Sequence, residues 1–404
     1  MEFLIQPSPI RVFSDEEFRR AGLPLTEDLG PADVVLAIKE VPVRLLEPNK
    51  TYVFFAHVIK GQPHNMPMLR RLIDLGCTLV DYERVVDEQN RRLIFFGRHA
   101  GLAGMIETLW CLGRRLQALG VGTPFAEVRH AFEYPDLSAA EAHLRELGER
   151  IRREGLPAAL RPLVVGISGY GNVSRGAQEI LGWLPVTSVG VEDLAATAAG
   201  SGAGLLEVVF KEEHMVRPRD PGGRFELHDY YVHPERYQGC FQQHLESLDV
   251  LVNCIYWDER YPRLLEREWA RRQFAAGSAP RLKVVGDISC DVEGSVELTS
   301  KVTEPDSPCY VHDPVTGAVR DGVEGPGIAI MAVDNLPCEL PREASQDFSK
   351  VLRGLVPDLA TANWAADFES LELPAHLKRA IIVHRGRLTP DYAHLERHLT
   401  IHSH

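Results

Sequence analysis

The sequence predicts an α/β protein with two Rossmann-like, doubly wound domains. Three observations point there: a strand–glycine turn–helix unit at 163–181, two separate stretches of strand–helix alternation, and a length that fits two cores. The unit reads LVVGISGYGNVSRGAQEIL. Leu163, Val164 and Val165 form the apolar strand, and the residues from Ala177 onward have helical spacing. Between them Gly169 suits a tight turn, and Gly171 lets backbone N–H groups approach a pyrophosphate. Gly176 suits close packing of the helix on the sheet. Tyr170, Asn172 and Val173 complete the predicted cofactor loop. The spacing G-x-G-x-x-x-x-G departs from G-x-G-x-x-G, so context carries the assignment, and an ordinary glycine-rich βα turn is the plainer alternative.

Strand-like runs in the first block are 33–41 (DVVLAIKEV), 51–59 (TYVFFAHVI) and 77–86 (CTLVDYERVV). Helices are expected at 66–76 and 103–120. A charged helix at 141–155 reads as a connector. In the second block, strands are expected at 163–167, 186–191, 249–255 and 282–288. Residues 205–240 break the alternation and predict either a solvated excursion or a lid beside the cofactor. The chain from Pro341 is expected to be mostly helical and to return to the first domain. The predicted domains are therefore 1–155 plus 341–404 for substrate, and 156–340 for the dinucleotide.

The composition excludes several classes. The net charge of −13 argues against a general nucleic-acid binder, and no apolar run is long enough to span a membrane. The seven cysteines include no C-x-x-C pair, which fits reduced thiols in a cytoplasm and gives no zinc site. His394, His398 and His402 fall at helical spacing, but a solvated terminal helix explains them without a metal.

Local chemistry singles out a few residues. Lys60 closes an apolar strand, where partial desolvation would suit it to proton transfer; a surface lysine with a buried stem is the alternative. His57 falls on the other strand face and reads equally well as a satisfied core histidine. Arg98 and His99 stand before the small residues Ala100, Gly101, Ala103 and Gly104, where an arginine can fork onto a carboxylate. Arg92 is a further candidate cation. Asp287 and Ile288 end a predicted strand where ligands collect in open α/β sheets, and Asp334 precedes a proline-limited loop. Glu192 lies 21 residues after Gly171, in the place of an acid that binds the ribose of NAD.

Eight segments occur in one order: FFAHVIKGQPHNM, LVDYERVVD, RRLIFFGRHAGLAGMI, SGYGNVSRGAQEI, HPERY, NCIYWDERYPRLL, GDISCDVEGSVE and VDNLPCELPREAS. Together they resemble the lysine–2-oxoglutarate reductases. These are the lysine-forming saccharopine dehydrogenases that make up the N-terminal half of bifunctional aminoadipic semialdehyde synthases, within the alanine dehydrogenase/saccharopine dehydrogenase superfamily. The resemblance implies an active-site cleft between two Rossmann-like domains, with the second binding the nicotinamide. It implies reductive joining of lysine and 2-oxoglutarate to saccharopine, or the reverse, in lysine degradation. Lys60 matches the family's site lysine and Asp334 its acid, so these two are the implied catalytic residues. Arg98 and His99 fall where the family has a variable pair, so Arg92, Arg98 and His99 are expected substrate contacts on local evidence alone. The implied cofactor is NADP(H), with Lys211, Arg217 and Arg219 available for a 2′-phosphate, whereas Glu192 favours NAD(H).

There are two departures from the pattern. The family's arginine-rich opening, R-R-E…W-E-R-R-x-P-L-x-P, does not occur in the sequence as it stands, and Gly76 is the nearest match to a family histidine. Both predict a weakened substrate site. A sister enzyme for another amine and 2-oxo acid, and a non-catalytic nucleotide-binding homologue, are the alternatives. Expected partners are a small amino acid and a 2-oxo acid, with no nucleic acid or membrane; a homo-oligomer is compatible with this.

Overall fold

A computed structural model describes residues 2–200, 204–275 and 280–400. Its strands are β1 (Val34–Leu36), β2 (Thr51–Phe54), β3 (Thr78–Asp81), β4 (Leu163–Ser168), β5 (Val186–Ser188), β6 (Leu205–Phe210), β7 (Val216–Pro218), β8 (Tyr237–Gly239), β9 (Val250–Asn253), β10 (Val284–Asp287), β11 (Cys309–His312), β12 (Val319–Asp321), β13 (Ile328–Met331), β14 (Ile381–His384) and β15 (Arg387–Leu388). The chain divides into two compact units, Met1–Phe95 with Ser345–His404, and Phe96–Ala344.

The first unit holds a sheet of order β1-β2-β3-β14-β15. The first three strands are parallel, and β14 and β15 add antiparallel. Every residue of β2 and β3 is buried, as expected of parallel strands covered on both faces. The helix Met66–Asp74 joins them and turns Met68, Leu69 and Leu72 inward.

The second unit holds an eight-stranded sheet of order β12-β11-β13-β10-β9-β4-β6-β5. From β13 to β5 the strands are parallel; β11 and β12 are antiparallel. Successive side chains enter different apolar clusters. Leu163, Val165, Ile167, Val250 and Val252 join one; Val164, Leu206, Val208 and Leu251 join the other. That period of two, with both faces covered, is what a doubly wound sheet requires.

Three expectations change. The sequence suggests a domain boundary at 155/156, but residues 96–155 cluster with the second unit. The reason is packing: the helix Gly97–Ala118 crosses the helix Asn172–Leu181 backbone to backbone, and Thr108 covers Gly286 of β10. The helix Leu137–Glu154, capped by Asp136, belongs there too and is not a connector. Second, LLEVVF at 205–210 is no excursion but β6, the neighbour of β4. The rest of 211–240 folds around the antiparallel β7–β8 ribbon and a buried cluster in which Tyr230 meets Tyr237 and Tyr261 edge-on. Third, IIVH at 381–384 is an interior strand of the first unit's sheet, within a segment expected to be helical.

Candidate functional site

In the second unit, β4 runs into Gly169 at φ +91, a conformation glycine adopts freely. The Gly169 N–H donates to the Phe210 carbonyl at 2.8 Å, which ties the loop to β6. Gly171 caps the ten-residue helix Asn172–Leu181. A Cβ built on Gly171 would have no atom within 4 Å. The turn therefore leaves an open cradle at the first free N–H groups of a helix, where an anionic pyrophosphate is favoured. Tyr170, Gly171 and Asn172 are exposed around it and Val173 is half-buried. These residues fit a dinucleotide.

Gly176 has a different task from the one its spacing suggests. A Cβ there would lie 2.1 Å from the Arg98 carbonyl oxygen, so it permits contact between two helices rather than between helix and sheet.

Strand order moves the ribose end of the site. The second strand of the unit in sequence, β5, lies outside the third, β6, instead of beside β4. Glu192 follows the edge strand β5 and is two strands from the glycine loop, roughly 10 Å at ordinary strand spacing. The neighbouring strand, β6, ends at Phe210 and is followed by exposed Lys211. Glu192 is thus misplaced for the ribose of a dinucleotide on β4. Nearby, Tyr231 donates to Glu212 at 2.6 Å.

Asp287 and Ile288, expected beside the cofactor, both turn inward. Asp287 is fully buried and accepts from Asn253, Ser289 and Thr299. Burial raises its carboxyl and these hydrogen bonds oppose the rise. Ile288 packs beneath the helix Gly97–Ala118, against Gly104. Asp334 does keep an exposed carboxylate beyond β13, and the Cys290 thiol reaches its Oδ1 at 3.7 Å. Burial, with the charge of Asp334 next, pushes that thiol up to about 12.

The two arginines proposed as substrate cations are committed elsewhere. Arg98 forks onto Glu179 at 3.0 and 2.7 Å, and Arg92 pairs with Glu83 at 3.0 Å. His99 is buried in the first turn of the helix Gly97–Ala118.

The first unit brings His57 and Lys60 together with acids and a lysine from the neighbouring strands. The parallel strands β1, β2 and β3 end side by side, followed by Lys39 and Glu40, by His57 and Lys60, and by Glu83. Lys60 is not at the end of a buried strand: β2 stops at Phe54, and Lys60 is exposed in a turn. His57 Nδ1 instead meets Glu40 Oε1 at 2.6 Å, and Asn65 Nδ2 donates to the same oxygen at 3.0 Å. Burial raises the Glu40 carboxyl, but the hydrogen bond and charge of His57 hold it below its ordinary range. His57 has φ +48, an uncommon conformation for a residue with a Cβ. An imidazole oriented by a carboxylate at the carboxyl end of a parallel strand is suited to proton transfer. The signal that finds it is K-E in one strand end and H in the next; a strand read as running to Ile59 hides it.

Asp81, ending β3, is fully buried. Its Oδ1 accepts from Glu83 N at 2.9 Å, and burial raises its carboxyl to about 7. Gly76, where the resemblance seeks a histidine, closes the helix Met66–Asp74 in a left-handed turn at φ +67. His394 and His398 lie on the Lys60 turn: His394 Nε2 approaches the Ile59 carbonyl at 3.3 Å, and the His398 ring faces Gly61. His402 lies outside the described residues. Among the described residues no group of three His, Cys, Asp or Glu side chains is arranged to hold a metal.

The sequence matches the family model "Alanine dehydrogenase/PNT, N-terminal domain" over residues 1–103 and "Alanine dehydrogenase/PNT, C-terminal domain" over 228–391. The chain belongs to the alanine dehydrogenase/saccharopine dehydrogenase superfamily. This family comprises oxidoreductases built on a nicotinamide-dinucleotide dehydrogenase fold. The α-aminoadipic semialdehyde synthase of Arabidopsis thaliana is 37% identical, covering 98% of this chain and 38% of that protein. The mitochondrial form from Bos taurus is 34% identical, covering 98% and 44%. The chain thus spans less than half the length of these relatives. The saccharopine dehydrogenase [NAD(+), L-lysine-forming] of Neurospora crassa is 29% identical, over 89% of this chain and 82% of its own. Among solved structures, an L-alanine dehydrogenase superposes with a TM-score of 0.61 at 19% identity, covering 98% of this chain and 91% of its own. The fold class expected from sequence is therefore the observed one. No helix among the described residues is long and apolar enough to cross a membrane.

Proposed function

We propose that this chain is an NADP(H)-dependent oxidoreductase that joins lysine and 2-oxoglutarate reductively to saccharopine, or runs the reverse reaction, in lysine degradation. The observation that carries the reading is the open cradle at Gly171, in a chain alignable over 98% of its length with an α-aminoadipic semialdehyde synthase. The N–H groups at the start of the helix Asn172–Leu181 hold the pyrophosphate. Lys211, at the end of the strand beside β4, takes the 2′-phosphate, and this supports NADP(H) over NAD(H). When bound, the nicotinamide supplies or accepts the hydride.

The remaining work falls to this chain's side chains. Saccharopine formation needs an acid–base group for the condensing amine and carbonyl, and cations for the carboxylates. His57 is that group. Its Nδ1 is held by Glu40, which leaves Nε2 to exchange the working proton. Exposed Lys39 and Lys60 bind substrate carboxylates, and Asp334 is the second acid–base candidate.

The test is NADPH absorbance with lysine and 2-oxoglutarate together and each alone. Oxidation that requires both supports the reading. Turnover only with another amine or 2-oxo acid makes the chain a sister enzyme, and nucleotide binding without turnover overturns the catalytic reading.

A further inference from the structure

Ser168, Asn253 and Asp287 end three neighbouring parallel strands, β4, β9 and β10, and all three are fully buried. The registers Ser168↔Asn253 and Asn253↔Asp287 place them in one row. Their side chains join along it. Ser168 Oγ donates to Asn253 Oδ1 at 3.0 Å. Asn253 Nδ2 donates to Asp287 Oδ1 and Ser295 Oγ, each at 2.8 Å, and reaches Ser289 Oγ at 2.9 Å. Ser289 Oγ donates in turn to Asp287 Oδ1 at 2.7 Å, and Thr299 serves Asp287 Oδ2.

A polar row of this kind costs free energy to bury unless every member is bonded, and here each is. Its two ends lead to site residues. The residue after Ser168 is Gly169, the start of the cofactor loop. The residue after Ser289 is Cys290, held at φ +46, whose thiol touches Asp334. Among the described residues, Asn253 is the one side chain that bonds to both halves of the row.

We infer that Asn253 is a positioning residue, which holds the glycine loop and the Asp334 loop in one frame at the carboxyl edge of the sheet. The inference rests on the nucleotide-binding reading of that loop. Side-chain packing alone does not require it, since apolar residues would fill the same space.

Three variants of the full chain test it: Ser168→Ala, Asn253→Ala and, as a control, Thr299→Val. NADPH affinity is followed by its fluorescence, stability by thermal unfolding, and turnover by separate kcat and KM. Ser168→Ala removes a single hydrogen bond next to Gly169. It should weaken NADPH binding about two- to tenfold with a near wild-type Tm. Asn253→Ala should weaken binding and also lower kcat through Asp334. Thr299→Val lies off the path and should lower Tm while leaving NADPH affinity unchanged. If wild type binds NADPH and neither Ser168→Ala nor Asn253→Ala changes its affinity, the row is structural only and the inference is overturned, even if Asn253→Ala folds poorly. If wild type does not bind nucleotide, the functional reading falls and takes this inference with it.

Discussion

Gly101 and Gly176 face one another where the helix Gly97–Ala118 crosses the helix Asn172–Leu181. A Cβ on Gly101 would lie 1.9 Å from the Val173 carbonyl oxygen, and one on Gly176 would lie 2.1 Å from that of Arg98. Both obstacles are backbone, so neither can swing away. Gly101→Ala and Gly176→Ala should each cost about 1–3 kcal/mol by overpacking. Thermal unfolding checks this, at roughly 2–4 °C per kcal/mol for a unit of this size. A Tm unchanged in both variants would show that the helices do not cross this closely.

Gly171 has the opposite environment. Its φ of −76 suits any residue, and nothing lies within 4 Å of an added Cβ. Gly171→Val should therefore leave stability within about 0.5 kcal/mol of wild type, checked by thermal unfolding. Nucleotide affinity should fall more than about tenfold, because the side chain occupies the space of the pyrophosphate. Unchanged affinity in a nucleotide titration would put the site elsewhere.

His57 and Lys60 separate by kinetics. His57→Gln removes the imidazole that Glu40 orients and should lower kcat by about 10²–10⁴. Lys60→Met removes an exposed ammonium and should act mainly on KM for the carboxylate substrates, by roughly tenfold. The reverse pattern, with Lys60→Met losing turnover and His57→Gln retaining it, would return the acid–base role to Lys60.

Glu107 and Glu339 give the pH prediction. Both are buried, and their carboxyls lie against each other. Glu107 accepts from Ala131 N at 2.6 Å and meets His130 Nδ1 at 2.8 Å, whereas among the described residues neither Glu339 oxygen meets a donor other than the shared carboxyl proton. One proton must be shared between them. Burial raises both carboxyls, and the charge of Glu107 raises Glu339 further. Because the folded-state values lie above the unfolded one, this stabilisation is complete below about pH 4.3 and is lost as pH rises through the raised values. Glu339→Gln keeps a donor toward Glu107 and does not titrate. Between about pH 6 and 9 its Tm should fall less steeply than that of wild type. Parallel slopes would mean that Glu339 is ionised in the folded protein.

The glycine loop was legible because strand, turn and helix are contiguous there and each has its own local signal. Gly169 takes the turn and Gly171 the start of the helix. What the sequence did not show was set by pairing between distant segments. LLEVVF could not be identified as the neighbour of β4 from a stretch dense in Gly, Pro and charge, and that misplaced the ribose acid at Glu192. Asp287 ends a strand, as an exposed ligand residue would, but Asn253 and Thr299 turn its carboxyl inward. Arg98 looks like a spare cation until Glu179, 81 residues away, meets it. His57 was obscured by strand length: alternation separates it from Lys60 only if β2 runs past Phe54, which it does not.

The central claim is that this chain condenses lysine with 2-oxoglutarate and reduces the product. It is tested most directly by mass spectrometry of the amino acid formed when the full chain is incubated with lysine, 2-oxoglutarate and NADPH. One new species is expected, whose mass is that of lysine plus 2-oxoglutarate, less one water and plus two hydrogens, formed with equimolar loss of NADPH. It should be absent when Gly171 is replaced by Val or His57 by Gln. A product carrying carbon from only one of the two substrates, or NADPH loss without lysine, would contradict it.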